Sequence, residues 1–288
     1  MGNIDEECVR ESDSFLRRIT EKEDNMNKAK EDKQRKYLER IKDFRLLDDD
    51  FMTACFQDYL QGIELVIQII MNNKDLRVTD VKIQHTIKNL YGRSLRLDVY
   101  ATDTKDKKYN FEIQRDEHGA GAKRARLHSA LIDGREIPAG FNPNTLPETY
   151  VIFITESDVL GEGLPIYHID RYVGETGQIF PDEAHIIYVN AENKDDTELG
   201  KLMKDFWCTD ASDMHYQVLA ERVRYLKEDE KGVRYMSRAM EEFAKEERYE
   251  EKIEMVTNFL RTGKFTVADI AEASGLPVAE VQAIKDSL

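Results

Sequence analysis

Cysteine is scarce in this sequence, and the cysteines that are present form no motif. Cys8, Cys55 and Cys208 are the only three in the 288-residue chain, and their wide spacing gives neither a Cys-x-x-Cys pair nor a disulfide framework. There is also no run of about 18 apolar residues, and the N-terminal residues lack the apolar core of a secretory signal. We therefore predict a cytoplasmic protein with no membrane partner.

Two common catalytic patterns are missing as well. The sequence has no phosphate-binding glycine loop, and its six histidines show neither metal-ligand spacing nor a nucleophilic serine or cysteine partner. The formal net charge of −15 disfavours nonspecific binding to nucleic acid, because phosphate contacts need lysine and arginine. A local basic patch on an acidic protein can still form a nucleic-acid interface.

The most informative pattern is a hairpin between Leu97 and Gln114. Apolar and polar residues alternate in two runs, which a charged segment separates. Because side chains on a strand alternate between faces, Glu112 and Gln114 share one face, roughly 7 Å apart. If Asp98 on the neighbouring strand faces the same way, the patch holds two carboxylates and an amide, which suit a magnesium ion. The alternative is an ordinary solvated face of an antiparallel hairpin.

Helical patterns precede this hairpin. Three aspartates, residues 48–50, stand before an apolar run, and we interpret them as caps of a helix N-terminus rather than as metal ligands. Residues 63–71 form a strongly apolar segment whose single carboxylate is Glu64. A buried, unpaired glutamate is costly, so Glu64 either lies on an exposed stripe or reaches the metal patch. Residues 77–87 predict a strand that completes an antiparallel meander.

A basic helix is expected after the hairpin, over residues 122–133. Lys123, Arg124 and Arg126 lie in its first turns, where cations oppose the helix dipole. A phosphate backbone or the carboxylate patch would favour them there, and the alternative is a surface helix of arbitrary charge. His128 follows Arg124 by four residues and therefore shares its face.

Three further apolar runs predict the rest of the sheet. Residues 150–154 are continuously apolar, which indicates a central strand buried on both faces. Residues 164–169 and 186–189 predict two more strands. Since a strand that follows a crossover helix lies parallel to its neighbour, we expect an α/β fold with a mixed central sheet flanked by helices.

Both ends of the chain are helical in pattern. Residues 1–43 are typical of a charged helical leader with a thin apolar face. Residues 264–288 outline a helix-turn-helix, but its second helix offers one cation, Lys285, so we favour a packing or partner module over DNA reading. The predicted domains are the leader, a core over 44–195, a helical extension over 196–263 and this C-terminal module.

The order of these motifs is similar to that of a known family. Asp98 is followed by a hairpin and by Glu-x-Gln at 112–114, as in PD-(D/E)xK nucleases. The resemblance is to the branch of nuclease-family transposases, which is related to the recombination-promoting Rpn nucleases. It covers roughly residues 44–195, through the segments FRLLDDDFMTACF, IELVIQIIMNNKDLRVTDVKIQ, KRARLHSALID, TYVIFITESDVLGEGLPIYHIDR and HIIYVNA.

This resemblance implies a restriction-endonuclease-like core and a metal-dependent endonuclease that hydrolyses phosphodiester bonds. DNA is the implied partner, with a link to mobile elements or recombination. Asp98 and Glu112 would hold Mg²⁺, or Mn²⁺, as catalytic residues. Glu64 would help them, because its place on the helix before the sheet matches an acidic position of the family.

The resemblance also assigns roles around Gln114. Most of the superfamily has a lysine at this position, whereas glutamine is usual in this branch. Gln114 can hydrogen-bond the attacking water but adds no positive charge. Lys123, Arg124 and Arg126 match the family's basic stretch and would bind substrate, and Lys123 or Arg124 would supply the missing cation.

A second interpretation, from another class of protein, stays open. The nuclease fold would persist as a catalytically weak or inactive scaffold that binds nucleic acid or a protein partner. The acidic net charge and Gln114 favour this interpretation, whereas the intact set Asp98, Glu112 and Gln114 favours the enzyme. RNA as the substrate and a homodimer as the assembly also stay open.

Overall fold

The computed structural model describes residues 39–87, 95–115, 117–137, 140 and 142–288. The predicted leader lies outside these residues except for 39–43, which are helical. Within the described part, no helix combines the length and the apolar character that crossing a membrane requires.

The described residues form a six-stranded mixed sheet in the order β1-β2-β3-β4-β6-β5. The first three strands are an antiparallel meander, β3, β4 and β6 are parallel, and β5 is antiparallel to β6. The predicted mixed sheet is thereby confirmed. The strands are β1 (Val78–Ile87), β2 (Leu95–Asp103), β3 (Lys108–Gln114), β4 (Thr149–Thr155), β5 (Ile166–Ile169) and β6 (Ala184–Asn190).

Helices precede, interrupt and follow the strands. They are α1 (Asp49–Phe56), α2 (Leu60–Ile70), α3 (Ala122–Glu136), α4 (Glu198–Trp207), α5 (Gln217–Glu228), α6 (Glu230–Thr262), α7 (Val267–Ser274) and α8 (Val278–Asp286).

Helix α3 continues beyond the end that the sequence predicts. The helical backbone passes through Gly134, although glycine disfavours a helix interior by about 1 kcal/mol. Two contacts with β2 hold the last turn: the Tyr100 hydroxyl donates to Glu136 Oε1 at 2.9 Å, and the Arg135 guanidinium lies over the Tyr100 ring. Tertiary contacts therefore override the local stop signal.

Helices cover both faces of the sheet at β3. Phe111 packs edge-on against Phe56 of α1, with ring centroids 5.7 Å apart. On the opposite face, Asn110 meets His128 of α3. The next strand, β4, is buried as predicted, because its residues 151–154 are fully inaccessible to solvent. This two-sided cover removes Asn110 and Glu112 of β3 from water.

Helix α5 holds α1 in place through two cations. The Arg222 guanidinium donates to the carbonyl oxygens of Ala54, Cys55 and Gln57, which lie at the C-terminal end of α1. The Lys227 ammonium donates to the carbonyls of residues 42 and 44, before α1 begins. Both ends of a short helix are thus fixed, although α1 has no side-chain cap.

The chain divides into two compact units, after Met236. In the first unit, α4 and α5 pack against α2. The domain boundaries that the sequence predicts at residues 195 and 263 remain predictions. In the second, α7 begins with a capping box between Thr266 and Asp269 and ends at Gly275, whose φ of 69° is left-handed. Helix α8 follows, as the helix-turn-helix pattern predicts.

Candidate active site

Asp98 of β2 and Glu112 of β3 lie side by side where the pairing of these strands ends. Val99 and Phe111 are the last paired residues at this end. Beyond them, Asp98 Oδ2 accepts the N–H of Ile113 at 3.1 Å, and Glu112 Oε1 accepts the N–H of Asp98 at 3.2 Å. Two carboxylates therefore replace the backbone ladder and are held together, which we call the carboxylate pair.

Both members of the carboxylate pair are buried, with relative exposures of 8% for Asp98 and 0% for Glu112. Burial raises the pKa of Asp98 to about 7, and the charge of Asp49 contributes to the rise. Burial and the charge of Asp98 hold the pKa of Glu112 well above its usual range, against the opposing charge of Arg124. Two negative charges at this place are costly, and a bound cation would relieve them.

The oxygen atoms of the pair fit a divalent metal ion. Glu112 Oε2 is buried and has no hydrogen-bond partner among the described atoms. Carboxylate oxygens are the ligands that hard cations such as Mg²⁺ prefer, and one or two of them suffice when water and phosphate oxygens complete the shell. In the described ranges no group of three or more His, Cys, Asp or Glu side chains is arranged for a metal, so the pair would need such additional oxygens.

Asp49, which the sequence interpretation assigned to capping, is also close to this pair. Asp48 occupies the N-cap position of α1, but its side chain accepts the N–H of Arg45 instead of capping the helix. Asp49 follows in the first turn, near enough for its charge to act on Asp98. An acidic residue on a helix before the sheet was the available signal, but the sequence could not choose among three consecutive aspartates.

Glu64 lies elsewhere. Its carboxylate accepts the N–H of Val78 at 2.8 Å and the Gln68 amide at 3.3 Å, at the start of β1. Val78 pairs with Asp103, five residues along β2 from Asp98, which corresponds to about 17 Å of extended strand. The structure therefore does not bring Glu64 to the carboxylate pair.

Gln114 ends β3 on the same side as Glu112. Its side chain lies against Gly119, where a Cβ atom would be only 1.7 Å from Gln114 Oε1. The absence of a side chain at residue 119 therefore leaves room for the Gln114 amide. This neutral group can donate to or accept from a water molecule beside the pair.

Among the three predicted cations, Arg124 is the one that the structure brings to the pair. Its Nη2 atom is 3.8 Å from Glu112 Oε2. Lys123 and Arg126 are exposed on the same helix, and no contact between either of them and the pair is found in the described part of the chain. Arg124 projects beside Glu112 because α3 crosses the face of β3 that carries Asn110.

A network of ion pairs joins the start of α1 to the ends of β3 and β4. Arg45 contacts Asp48 and Glu156, each at 3.2 Å. Arg115, directly after Gln114, contacts the same two carboxylates at 3.0 and 2.8 Å. Because Asp48 precedes Asp49, this network fixes the acidic end of α1 relative to the strand that carries Glu112.

The mixed sheet, its helical cover and the carboxylate pair on neighbouring strands define a restriction-endonuclease-like α/β protein of the nuclease class. The family model for PD-(D/E)XK nuclease family transposases matches residues 63–266, and the chain belongs to this family. The match includes Glu64, the carboxylate pair, Gln114 and the basic stretch of α3, but not Asp49. No curated protein and no solved structure matched the chain.

Proposed function

We propose that this protein is a metal-dependent nuclease that hydrolyses phosphodiester bonds in DNA, with the carboxylate pair as its catalytic centre. The observation that carries the proposal is the burial of Asp98 and Glu112 together, with Glu112 Oε2 lacking a hydrogen-bond partner within the described residues. A fold gains nothing in stability from such an arrangement, since buried charges are retained only when they are paired or bind metal.

Asp98 and Glu112 would hold Mg²⁺, or Mn²⁺ in its place. When bound, the ion would polarise the scissile phosphate and lower the pKa of the attacking water. Asp49 adds a third negative charge from α1 and would bind a water of the metal's shell. We leave Glu64 out of this metal-binding set, since its carboxylate hydrogen-bonds the N–H of Val78, the first residue of β1.

The remaining groups orient the substrate and the water. Gln114, at the end of β3, would hydrogen-bond the attacking water and fix its direction. Arg124 would contact the phosphate, and Lys123 and Arg126 would add weaker backbone contacts from the exposed side of α3.

DNA as the substrate and a role in recombination of mobile elements are supported by the family, which is one of transposases. The basic stretch of α3 beside the carboxylate pair supports a phosphate-containing substrate on an otherwise acidic chain.

Cleavage of supercoiled plasmid tests the proposal. Wild-type protein should nick the plasmid in Mg²⁺ or Mn²⁺, should be inactive in EDTA, and should lose this activity in Glu112→Ala. Cleavage that survives in Glu112→Ala would show that another centre or a contaminant is responsible.

A second candidate is a binding module without catalysis, which the uncharged Gln114 favours. Melting temperature with and without Mg²⁺ separates a working metal site from a retired one, because a ligand stabilises the state that binds it. The nuclease predicts a rise in wild type that disappears in Asp98→Ala. The retired site predicts no rise in either protein.

A further inference from the structure

His128 has a position on α3 that the proposed reaction does not explain. Its side chain is fully buried, and its ring lies 5.5 Å from that of Phe153 on β4. Its Nε2 atom accepts the Nε–H of Arg124 at 3.3 Å, one helical turn away. A buried imidazole thus contacts the cation beside the carboxylate pair.

The hydrogen bond to Arg124 fixes which nitrogen of the imidazole is the acceptor. The arginine Nε–H can only donate, so Nε2 of His128 must present its lone pair to it. A neutral imidazole has one acceptor and one donor nitrogen. Since Nε2 accepts from Arg124, Nδ1 carries the hydrogen and faces the carboxylate oxygen Glu112 Oε1, 3.6 Å away. The Asn110 atom 3.2 Å from Nδ1 is the amide nitrogen Nδ2, which is itself a donor, so Asn110 gives Nδ1 no acceptor in this arrangement.

We propose that His128 is a positioning residue that fixes the Arg124 guanidinium beside the carboxylate pair, so that Arg124 supplies to a bound phosphodiester the positive charge that Gln114 lacks. This inference rests on the proposed function for the identity of the ligand. It selects Arg124 from the three cations in the first turns of α3 and gives the buried His128 a role.

The geometry of the arginine supports this choice. Its Nε–H is bound to His128, while Nη2 lies 3.8 Å from Glu112 Oε2 and the side chain remains 41% exposed. A guanidinium anchored at Nε keeps its two outer nitrogens in a fixed plane, which suits paired hydrogen bonds to phosphate oxygens. Lys123 has neither a hydrogen bond to His128 nor a planar pair of nitrogens for phosphate oxygens.

Binding of a short DNA duplex in Ca²⁺ tests the inference, because Ca²⁺ replaces Mg²⁺ and the bound duplex is measured rather than cleaved. Fluorescence anisotropy would compare wild type with Arg124→Gln and with Lys123→Gln, a matched neutralisation of the adjacent exposed residue. We expect Arg124→Gln to weaken binding by about 10-fold or more, as for loss of charge-assisted hydrogen bonds, and Lys123→Gln by about 2-fold. Equal losses in the two variants would overturn the role of Arg124.

A double-mutant cycle tests the part assigned to His128. His128→Phe keeps a flat ring against Phe153 but removes the acceptor, and it should weaken binding nearly as much as Arg124→Gln. The double variant should bind no more weakly than Arg124→Gln alone, since His128 acts through Arg124. If the fold-losses in DNA affinity of the two single variants multiplied in the double variant, the positioning role of His128 would be overturned.

Two controls keep the outcomes distinct. His128→Gln retains a hydrogen-bond acceptor and should restore most of the DNA affinity that His128→Phe loses. If His128→Phe were merely misfolded, its melting temperature would fall and His128→Gln would not recover the DNA affinity. Wild-type protein that fails to bind the duplex in Ca²⁺ overturns the inference. Binding without cleavage in Mg²⁺ overturns the proposed activity but leaves the role of Arg124 standing.

Discussion

Two buried carboxylates in the first unit have opposite surroundings. Asp205 of α4 and Glu112 of β3 are both fully inaccessible to solvent. Asp205 accepts the N–H groups of His215 and Tyr216 at 2.7 and 2.8 Å, and His215 Nδ1 lies 3.0 Å away. Glu112 accepts a backbone N–H only at Oε1, while Oε2 has no hydrogen-bond partner among the described atoms.

This difference separates a structural charge from one that we propose to be functional. Bonds to both oxygens of Asp205 tie α4 to the start of α5, and they offset the cost of removing the charge from water. Glu112 has weaker compensation, because the partly exposed Arg124 lies 3.8 Å from Oε2, outside hydrogen-bond distance, and a second carboxylate lies beside it. A site that is unfavourable for the folded chain alone is suited to binding a cation, and stability is commonly lost where function is gained.

The largest expected effect is on cleavage. Asp98→Asn should lower the rate of metal-dependent nicking by about 1,000-fold, since the charge on a metal-binding oxygen contributes several kcal/mol. Glu64→Gln is the matched control and should stay within about 2-fold of wild type, because Glu64 lies about 17 Å along the strand direction from Asp98. A plasmid nicking assay on both variants checks this prediction. A strong loss of nicking in Glu64→Gln but not in Asp98→Asn would move the catalytic role from Asp98 to Glu64.

The pH dependence of stability should show the next largest effect. Without metal, the folded state keeps a proton on Asp98 up to a pKa of about 7, whereas the unfolded state loses it near 3.8. The contribution of Asp98 to stability is therefore full below pH 4 and is lost as pH rises to about 7, by up to about 4 kcal/mol.

Urea unfolding in EDTA at several pH values measures this loss. Trp207 is the only tryptophan, and it lies on α4, so its fluorescence reports the first unit. Relative to wild type, the free energy of unfolding of Asp98→Asn should increase from pH 4 to pH 7, because asparagine does not titrate. A constant difference would mean that Asp98 titrates normally in the folded state.

Neutralising the two compared carboxylates should change stability in opposite directions. Asp205→Asn should lower the free energy of unfolding by about 3 kcal/mol, because a buried charge-assisted network is broken. Glu112→Gln in EDTA should leave it unchanged or raise it by about 1 kcal/mol. Equal destabilisation by the two changes, measured by urea unfolding at pH 7, would remove the distinction between them.

The smallest effect is expected where carboxylates meet solvent-exposed partners. Arg115→Gln removes ion pairs with Asp48 and Glu156, but the Arg115 side chain is 57% exposed. The free energy of unfolding should fall by only about 0.5 kcal/mol, and the fall should shrink in high salt. If the free energy of unfolding fell by more than about 2 kcal/mol at low salt, these ion pairs would stabilise the fold as strongly as the buried contacts of Asp205 do.

Much of the fold follows from local patterns. Alternation predicts the β2–β3 hairpin, a continuous apolar run predicts the buried β4, and the order of elements predicts the mixed sheet. The proximity of Asp98 and Glu112 follows because both lie on one hairpin. Local periodicity is sufficient wherever the partners are close in sequence.

Other features depend on contacts that a local pattern does not contain. Choosing Asp49 over its neighbours needed the position of α1, which α5 fixes from more than 160 residues away through Arg222. Glu64 had a suitable residue type on a suitable helix, but its carboxylate caps the start of β1. Gly134 predicts a helix end that contacts with Tyr100 override.

The hairpin that carries the carboxylate pair also has a consequence for the rate of folding. Strands β2 and β3 are adjacent in the chain and can pair early, but pairing them brings Asp98 and Glu112 together out of water. At neutral pH the two carboxylates are charged in the unfolded chain, and we expect their mutual repulsion to slow closure of the hairpin. Low pH or divalent ions during refolding should therefore speed up closure of the hairpin, because either one neutralises the two carboxylates.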